Sequence, residues 1–359
     1  MRILILGPFP PPLFGVSLSN FVLKNGLLEK GYSVHIVNTA GSEKIDSEVG
    51  SWDIRKLSFI KSYFNLCKVF KTDVVYCTTG QTFFGIIKYA PFVLLSRLLG
   101  KKTIVHVKGG FLKQSYQEMS ASKKRISKFV LSSYNGGIVL SKSLRNLLEG
   151  FLPDDKIFIQ HNFIQDSLII PQKEILKQKK HDKLRIFYLS NLMKEKGIVE
   201  LLDALETLNK QKIPFEAKIA GHIPKDGQDL VERMEKIENL QYLGVVQKEA
   251  KTKLLSWGNV FCLPTYYTME GQPISIIEAM GFGNVILTTK HAGIPDICSE
   301  KNGVFVTKRD ALSIYNHLEY LSNNLSWVNE TGVFNMQQAQ ELYTEDAFVL
   351  GILKIFEDV

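Results

Sequence analysis

Glu270 and Glu278 stand with seven residues between them in the run from Leu263 to Gly283. An apolar strand ends there at Pro264, a polar loop carries Glu270, and a helix starts near Pro273, where proline suits the first helical position. The free amides of a helix start make a ready site for a diphosphate. In an open α/β sheet such a helix start faces the carboxyl ends of the strands, where ligands bind. Glu278 falls in the second turn of this helix and Glu270 just ahead of it, so a carboxylate lies on each side of a bound phosphate. An ionised carboxylate accepts two hydrogen bonds, which suits the vicinal hydroxyls of a ribose. Asp154 and Asp155 are adjacent in a turn after Pro153, and no Asp-x-Asp pair stands at a strand end, so a metal is not implied.

The elements that must position these groups follow from the hydrophobic pattern. Ile3 to Leu6 reads as a strand, Pro8 to Gly15 as a proline-rich loop, and Leu18, Phe21, Val22 and Leu28 as one face of a helix. Further short apolar runs occur at residues 32–37, 74–76, 103–107, 137–140 and 157–160. The charged stretch 172–183 reads as an interdomain linker, after which strand, loop and helix recur at 184–189, 190–197 and 198–208. Strands at 217–220, 260–263 and 285–287 complete a second set. Short strands alternating with helical patterns predict parallel, doubly wound sheets, and 359 residues suffice for two such domains.

Charge is distributed unevenly. Residues 1–165 carry a net charge of +12 and residues 166–359 a net charge of −4. Between Lys88 and Lys128 there are ten basic residues and one acidic residue, Glu118, interleaved with Phe92, Leu95, Leu99 and other apolar side chains. No zinc-finger spacing, RNP-like strand or helix-turn-helix signature accompanies them, which sets nucleic acid aside. An anionic leaflet fits, since each Lys or Arg near lipid head groups contributes about 1 kcal/mol and apolar neighbours can insert. Lys101, Lys102, Lys123, Lys124, Arg125 and Lys128 are the expected cations, with Phe92, Leu95 or Leu99 as anchors. The most apolar run, Tyr89 to Gly100, contains Arg97 and is too short for a bilayer core of about 30 Å. With no signal-peptide pattern at Met1, a cytoplasmic protein is expected, peripheral at the inner face of the cytoplasmic membrane. Cys67, Cys77, Cys262 and Cys298 are scattered singly and read as buried reduced thiols.

The segment from Glu270 onward resembles the donor site of family 4 of the glycosyltransferases, whose phrase E-G-x-P-x-x-x-x-E-A-M-A-x-G-x-P-V-I spaces its two glutamates as here. The likeness runs through Gly283, Val285-Ile286, Ala292 to Ile297 and Asn302 to Val306, some 45 residues of specific match. Gly221 and Gly244 end strands as in that family, Asn162 falls at its interdomain motif, and Gly15 matches its first acceptor-side phosphate loop.

The resemblance implies the GT-B fold: α/β, two Rossmann-like domains facing a cleft. It places an acceptor-binding domain at 1–168, a nucleotide-sugar domain at 183–340, and a C-terminal helix, 341–359, crossing back to the first. It implies that Glu278 binds the nucleotide ribose, that Glu270 contacts the transferred sugar, and that Gly271, Gln272, Pro273 and Ile274 hold sugar and phosphate. Lys196 matches the family's phosphate lysine. Asn191 stands where an arginine is usual, with Lys194 or Arg185 as substitutes. His106 and Lys108 fall in a segment like H-x-H-G-G-F, and either is a candidate to face the sugar. The implied activity is retaining transfer of a hexose from a nucleotide-sugar, a UDP-sugar, to a glycan or polyprenyl-diphosphate-linked acceptor in cell-surface polysaccharide biosynthesis, without cofactor. A non-catalytic scaffold of the same fold is the alternative.

Overall fold

The computed structural model describes residues 1–11, 13–40, 54–224 and 227–359. The chain forms two compact units, Met1–Asn162 with Glu345–Val359, and Phe163–Thr344. Each is a six-stranded parallel sheet between helices.

In the first unit the strands are β1 (Arg2–Gly7), β2 (Ser33–Asn38), β3 (Val74–Thr79), β4 (Lys102–Val107), β5 (Gly136–Val139) and β6 (Ile157–Ile159), in the order β2-β1-β3-β4-β5-β6. Ile3, Leu4, Ile5 and Leu6 are buried without alternation, as a parallel strand covered on both faces requires. The helix Gly15–Glu29 follows β1, and its start is fixed by Ser17, whose Oγ accepts from the Phe14 amide at 2.9 Å. The C-terminal helix Glu345–Asp358 packs on Gly15–Glu29. Their approach is close: a Cβ at Gly26 would lie 2.6 Å from a methyl of Val349.

The second unit contains β7 (Leu184–Leu189), β8 (Phe215–Ala220), β9 (Leu240–Tyr242), β10 (Val260–Leu263), β11 (Val285–Thr288) and β12 (Gly303–Phe305), ordered β12-β11-β10-β7-β8-β9. The order reverses between β7 and β10, so the loops leaving these two strands diverge above the sheet and open a crevice at their carboxyl ends. The stretch 172–183 is largely exposed, as its charge suggests, but it lies inside the second unit and two of its residues are buried. Gln172–Gln178 is helical with Ile175 buried, and the buried Lys179 ammonium donates to the carbonyls of Leu255 and Gly258 and to Asn284 Oδ1. Three acceptors satisfy its three protons, which is how a lysine can be buried.

Two glycines let the crevice loops approach closely. Gly197 has φ +78°, and a Cβ there would sit 2.5 Å from the Pro264 carbonyl oxygen. Gly221 has φ +151°, and a Cβ would fall 1.7 Å from the Ser190 carbonyl oxygen. Substitution by alanine at either site should cost about 1–3 kcal/mol in backbone strain alone, seen as a lower thermal midpoint; an unchanged midpoint in both variants would show that the loops do not need this approach.

Candidate active site

At the carboxyl end of β7 the chain turns through Met193 and a short turn, Lys194–Lys196, before the helix Ile198–Lys210. At the end of β10 the Thr265–Glu270 loop folds against it: the Tyr266 amide donates to the Glu195 carbonyl at 2.8 Å. These contacts bring Lys196 to Glu270. The ammonium pairs with Glu270 Oε2, which also accepts from Thr265 Oγ1 at 3.3 Å, and both charged side chains are largely buried. Lys196 lies in addition over the Tyr267 ring, 4.9 Å from its centre.

Glu278 sits in the helix Ile274–Gly281, with Pro273 just ahead of its first turn. Its residue exposure is 1%, and Oε1 accepts from the Lys251 ammonium at 2.6 Å. Lys251 comes from the neighbouring helix Lys248–Trp257. Gly271, Gln272 and Pro273 are buried between the two glutamates, and the Gly271 carbonyl accepts from the Gly293 amide at 2.8 Å. Two ion-paired carboxylates therefore flank a helix start at the point where the strand order reverses.

The loop after β11 adds a group that the sequence reading missed. His291 contacts the Tyr267 carbonyl through Nε2 at 2.8 Å, and Lys308 Nζ lies 2.9 Å from Nδ1. Burial lowers the pKa of His291 from the ordinary histidine value, which favours the neutral ring near pH 7. With Lys308 donating to Nδ1, Nε2 carries the proton given to Tyr267. Arg309 stacks on Tyr266, 4.6 Å from the ring centre. The Tyr266–Glu270 loop is thus surrounded by Lys196, His291 and Arg309, with Lys308 behind the histidine.

Asn191 is exposed, and its carbonyl accepts from Tyr188 Oη at 2.9 Å. Arg185 does not replace the arginine usual at that position. It lies near the start of β7, opposite the crevice, where it pairs with Asp182 at 2.6 Å. Lys194 is exposed on the loop. Gly221 follows β8 and anchors Tyr242, whose hydroxyl donates to its carbonyl at 2.8 Å.

In the first unit Gly15 is exposed at the start of its helix, beyond the end of β1. His106 is fully buried in β4, with Nδ1 2.6 Å from Tyr76 Oη, and Tyr76 in turn packs on Phe356. A central parallel strand has both faces covered, so alternation gave it no open side. Lys108, just past the strand, is half-buried, over the Phe348 ring at 4.7 Å and 3.5 Å from Asn162 Oδ1. Burial lowers its pKa well below the usual lysine range.

Of the cysteines, Cys77, Cys262 and Cys298 are buried, whereas Cys67 is exposed. Among the described residues no three His, Cys, Asp or Glu side chains are grouped so as to hold a metal ion, and no helix is long and apolar enough to cross a membrane.

Several solved structures share this architecture. A glycosyltransferase from Rickettsia africae ESF-5 superposes with a TM-score of 0.77 at 15% identity, covering 99% of this chain and 98% of its own. Anabaena Alr3699/HepE, solved in complex with UDP, gives 0.75 at 14% identity over the whole of both chains. The fold is that of the GT-B glycosyltransferases. Within it, residues 171–329 match the sequence model of the family described as Glycosyl transferases group 1. The amylovoran biosynthesis glycosyltransferase AmsK of Erwinia amylovora is 28% identical over 137 residues, 36% of this chain and 34% of its own length. The chain thus spans about a third of the length of several curated relatives it matches.

The environment of His106 fixes a pH effect. Burial holds its pKa well below the usual histidine value, with Lys108 adding to the shift. The unfolded chain binds a proton near pH 6.5 that the folded chain refuses, so stability falls as pH drops below about 6.5, by up to roughly 1.4 kcal/mol per pH unit for this one residue. Nitrogen-15 NMR of the ring should show neutral His106 at pH 5.5. A titration midpoint near 6.5 would contradict its burial.

Proposed function

We propose that the chain transfers a hexosyl group from a UDP-sugar, with retention of anomeric configuration, to a glycan or polyprenyl-diphosphate-linked acceptor in cell-surface polysaccharide biosynthesis. The observation that carries this reading is the pair of buried carboxylates, Glu270 on Lys196 and Glu278 on Lys251, flanking a helix start at the switch point of the second sheet. Glu278 receives the ribose diol, Lys196 and the first-turn amides of Ile274–Gly281 meet the diphosphate, and Glu270 takes hydroxyls of the transferred sugar. The names of two similar proteins agree with this assignment: HepE is solved with UDP, and AmsK is named for amylovoran biosynthesis.

With lysine and helix amides at the leaving diphosphate, the reaction needs no metal. Transfer from a panel of UDP-hexoses should release UDP, give a product whose anomeric proton coupling matches that of the donor, and persist in excess EDTA. An inverted product would overturn the retaining assignment; loss of activity restored by Mn²⁺ would overturn the charge assignment.

The first unit is read as docking on anionic lipid, through residues that differ in part from those expected. Phe92 is buried against the sheet and cannot anchor, and Lys102 donates to the carbonyls of Phe356 and Glu357, capping the C-terminal helix. Leu95 and Leu99 are half-buried. In their place Leu98 is 81% exposed and Phe129 is 61% exposed, with Ile126 beside Arg125 and Lys128 on the helix Ala121–Leu131. Co-sedimentation with phosphatidylglycerol-containing vesicles should weaken as salt rises past the ionic strength at which the Debye length is about 8 Å, and Phe129→Ser should reduce it. Equal binding to neutral and anionic vesicles, or to neither, would rule out an electrostatic dock.

A further inference from the structure

Glu278 is nearly inaccessible, yet the group that pairs with it comes from a different helix and from a sequence, Lys248-Glu249-Ala250-Lys251-Thr252-Lys253, that reads as a solvated face. Lys253 behaves as that pattern suggests, since it is exposed and pairs with Glu249 one turn away. Lys251 does not. Its side chain is 19% exposed, and Nζ lies 2.6 Å from Glu278 Oε1. The helix that delivers it begins at Lys248 with φ +48°, a conformation that a non-glycine residue keeps only where its surroundings hold it.

We propose that Lys251 is a positioning residue of the nucleotide site, setting the Glu278 carboxylate for a ribose diol and thereby setting preference for ribonucleotides over 2′-deoxyribonucleotides. The inference rests on the reading that Glu278 receives the ribose. A carboxylate offers about four lone-pair directions. Lys251 takes one on Oε1, which fixes the plane of the group and leaves enough acceptors for two vicinal hydroxyls. Both hydroxyls are needed to use that arrangement, so the benefit of a fixed carboxylate appears only for a cis-diol. An unpaired carboxylate buried this deeply is unstable. Without the ammonium it turns toward water, and the diol loses its acceptor. Lys251 does this without touching the reacting atoms.

The test uses the intact chain and isothermal titration with UDP and 2′-deoxy-UDP, and in parallel with GDP and 2′-deoxy-GDP. Wild type should bind the ribo form of its nucleotide at least about tenfold more tightly than the deoxy form, the value of one charge-assisted hydrogen bond. Lys251→Met should bring the two affinities within a factor of about three, chiefly by weakening the ribo form, and Lys251→Arg should keep most of the preference. Lys251→Gln provides the same ratio if the methionine variant fails to fold. A full wild-type preference in Lys251→Met or Lys251→Gln, alongside its loss in Glu278→Ala, would overturn the role of Lys251 and leave the ribose site standing. A preference that survives Glu278→Ala, or is absent from wild type, would instead overturn the ribose reading itself.

Discussion

A carboxylate can be held out of water only if something replaces the lost hydration, and the second unit holds two within one crevice. Glu270 and Glu278 are both buried, and each is compensated by a lysine from another element. Breaking a buried pair by removing one partner typically costs about 3–5 kcal/mol, so these ion pairs constrain where the loops after β7 and β10 and the helix Lys248–Trp257 can lie. Replacing them with packed apolar side chains would often be neutral or stabilising in a protein with no ligand to bind. Their retention fits a site that must offer acceptors and cations to a polar substrate.

The surrounding architecture serves that constraint. Gly197 lets the Lys196 loop lie against Pro264, and Gly221 lets the loop after β8 lie against Ser190. His291, neutral because it is buried, ties the loop after β11 to the carbonyl of Tyr267, which also accepts from the Glu270 amide at 2.9 Å. The loops after β7, β11 and β12 thus converge on the segment from Thr265 to Glu278 that follows β10, where the strand order reverses. The group usual at position 191 in the resembled family is an arginine, and Asn191 supplies no charge there. The cations near the Glu270 loop come from Lys196 and, further along the chain, from Lys308 and Arg309.

Much of this was legible in the sequence. The central strands were found because short runs dominated by apolar residues, mostly buried on both faces, leave a strong local signal. β9 and β12, three residues each, were not read as strands, although the equally short β6 was. The two glutamates were found through their spacing around a helix start, which is local chemistry. Lys251 and His291 were not, because one lies in a charged helical pattern and the other stands alone in a loop; only tertiary pairing distinguishes them. His106 misled for the converse reason, since its neighbours in sequence match a family motif while its neighbours in space are Tyr76 and the core. Phe92 failed as a lipid anchor because the helix Ala90–Leu98 turns Phe92, Val93 and Ser96 inward and leaves Leu98 outside.

The proposed site puts a nucleoside diphosphate in the crevice of the second unit, between the two paired carboxylates. Hydrogen–deuterium exchange of the intact chain, with and without saturating UDP, tests it most directly. Slowed exchange should be concentrated in peptides covering Ser190–Gly197 and Pro264–Glu278. Protection elsewhere in the chain with those two segments unchanged would contradict it.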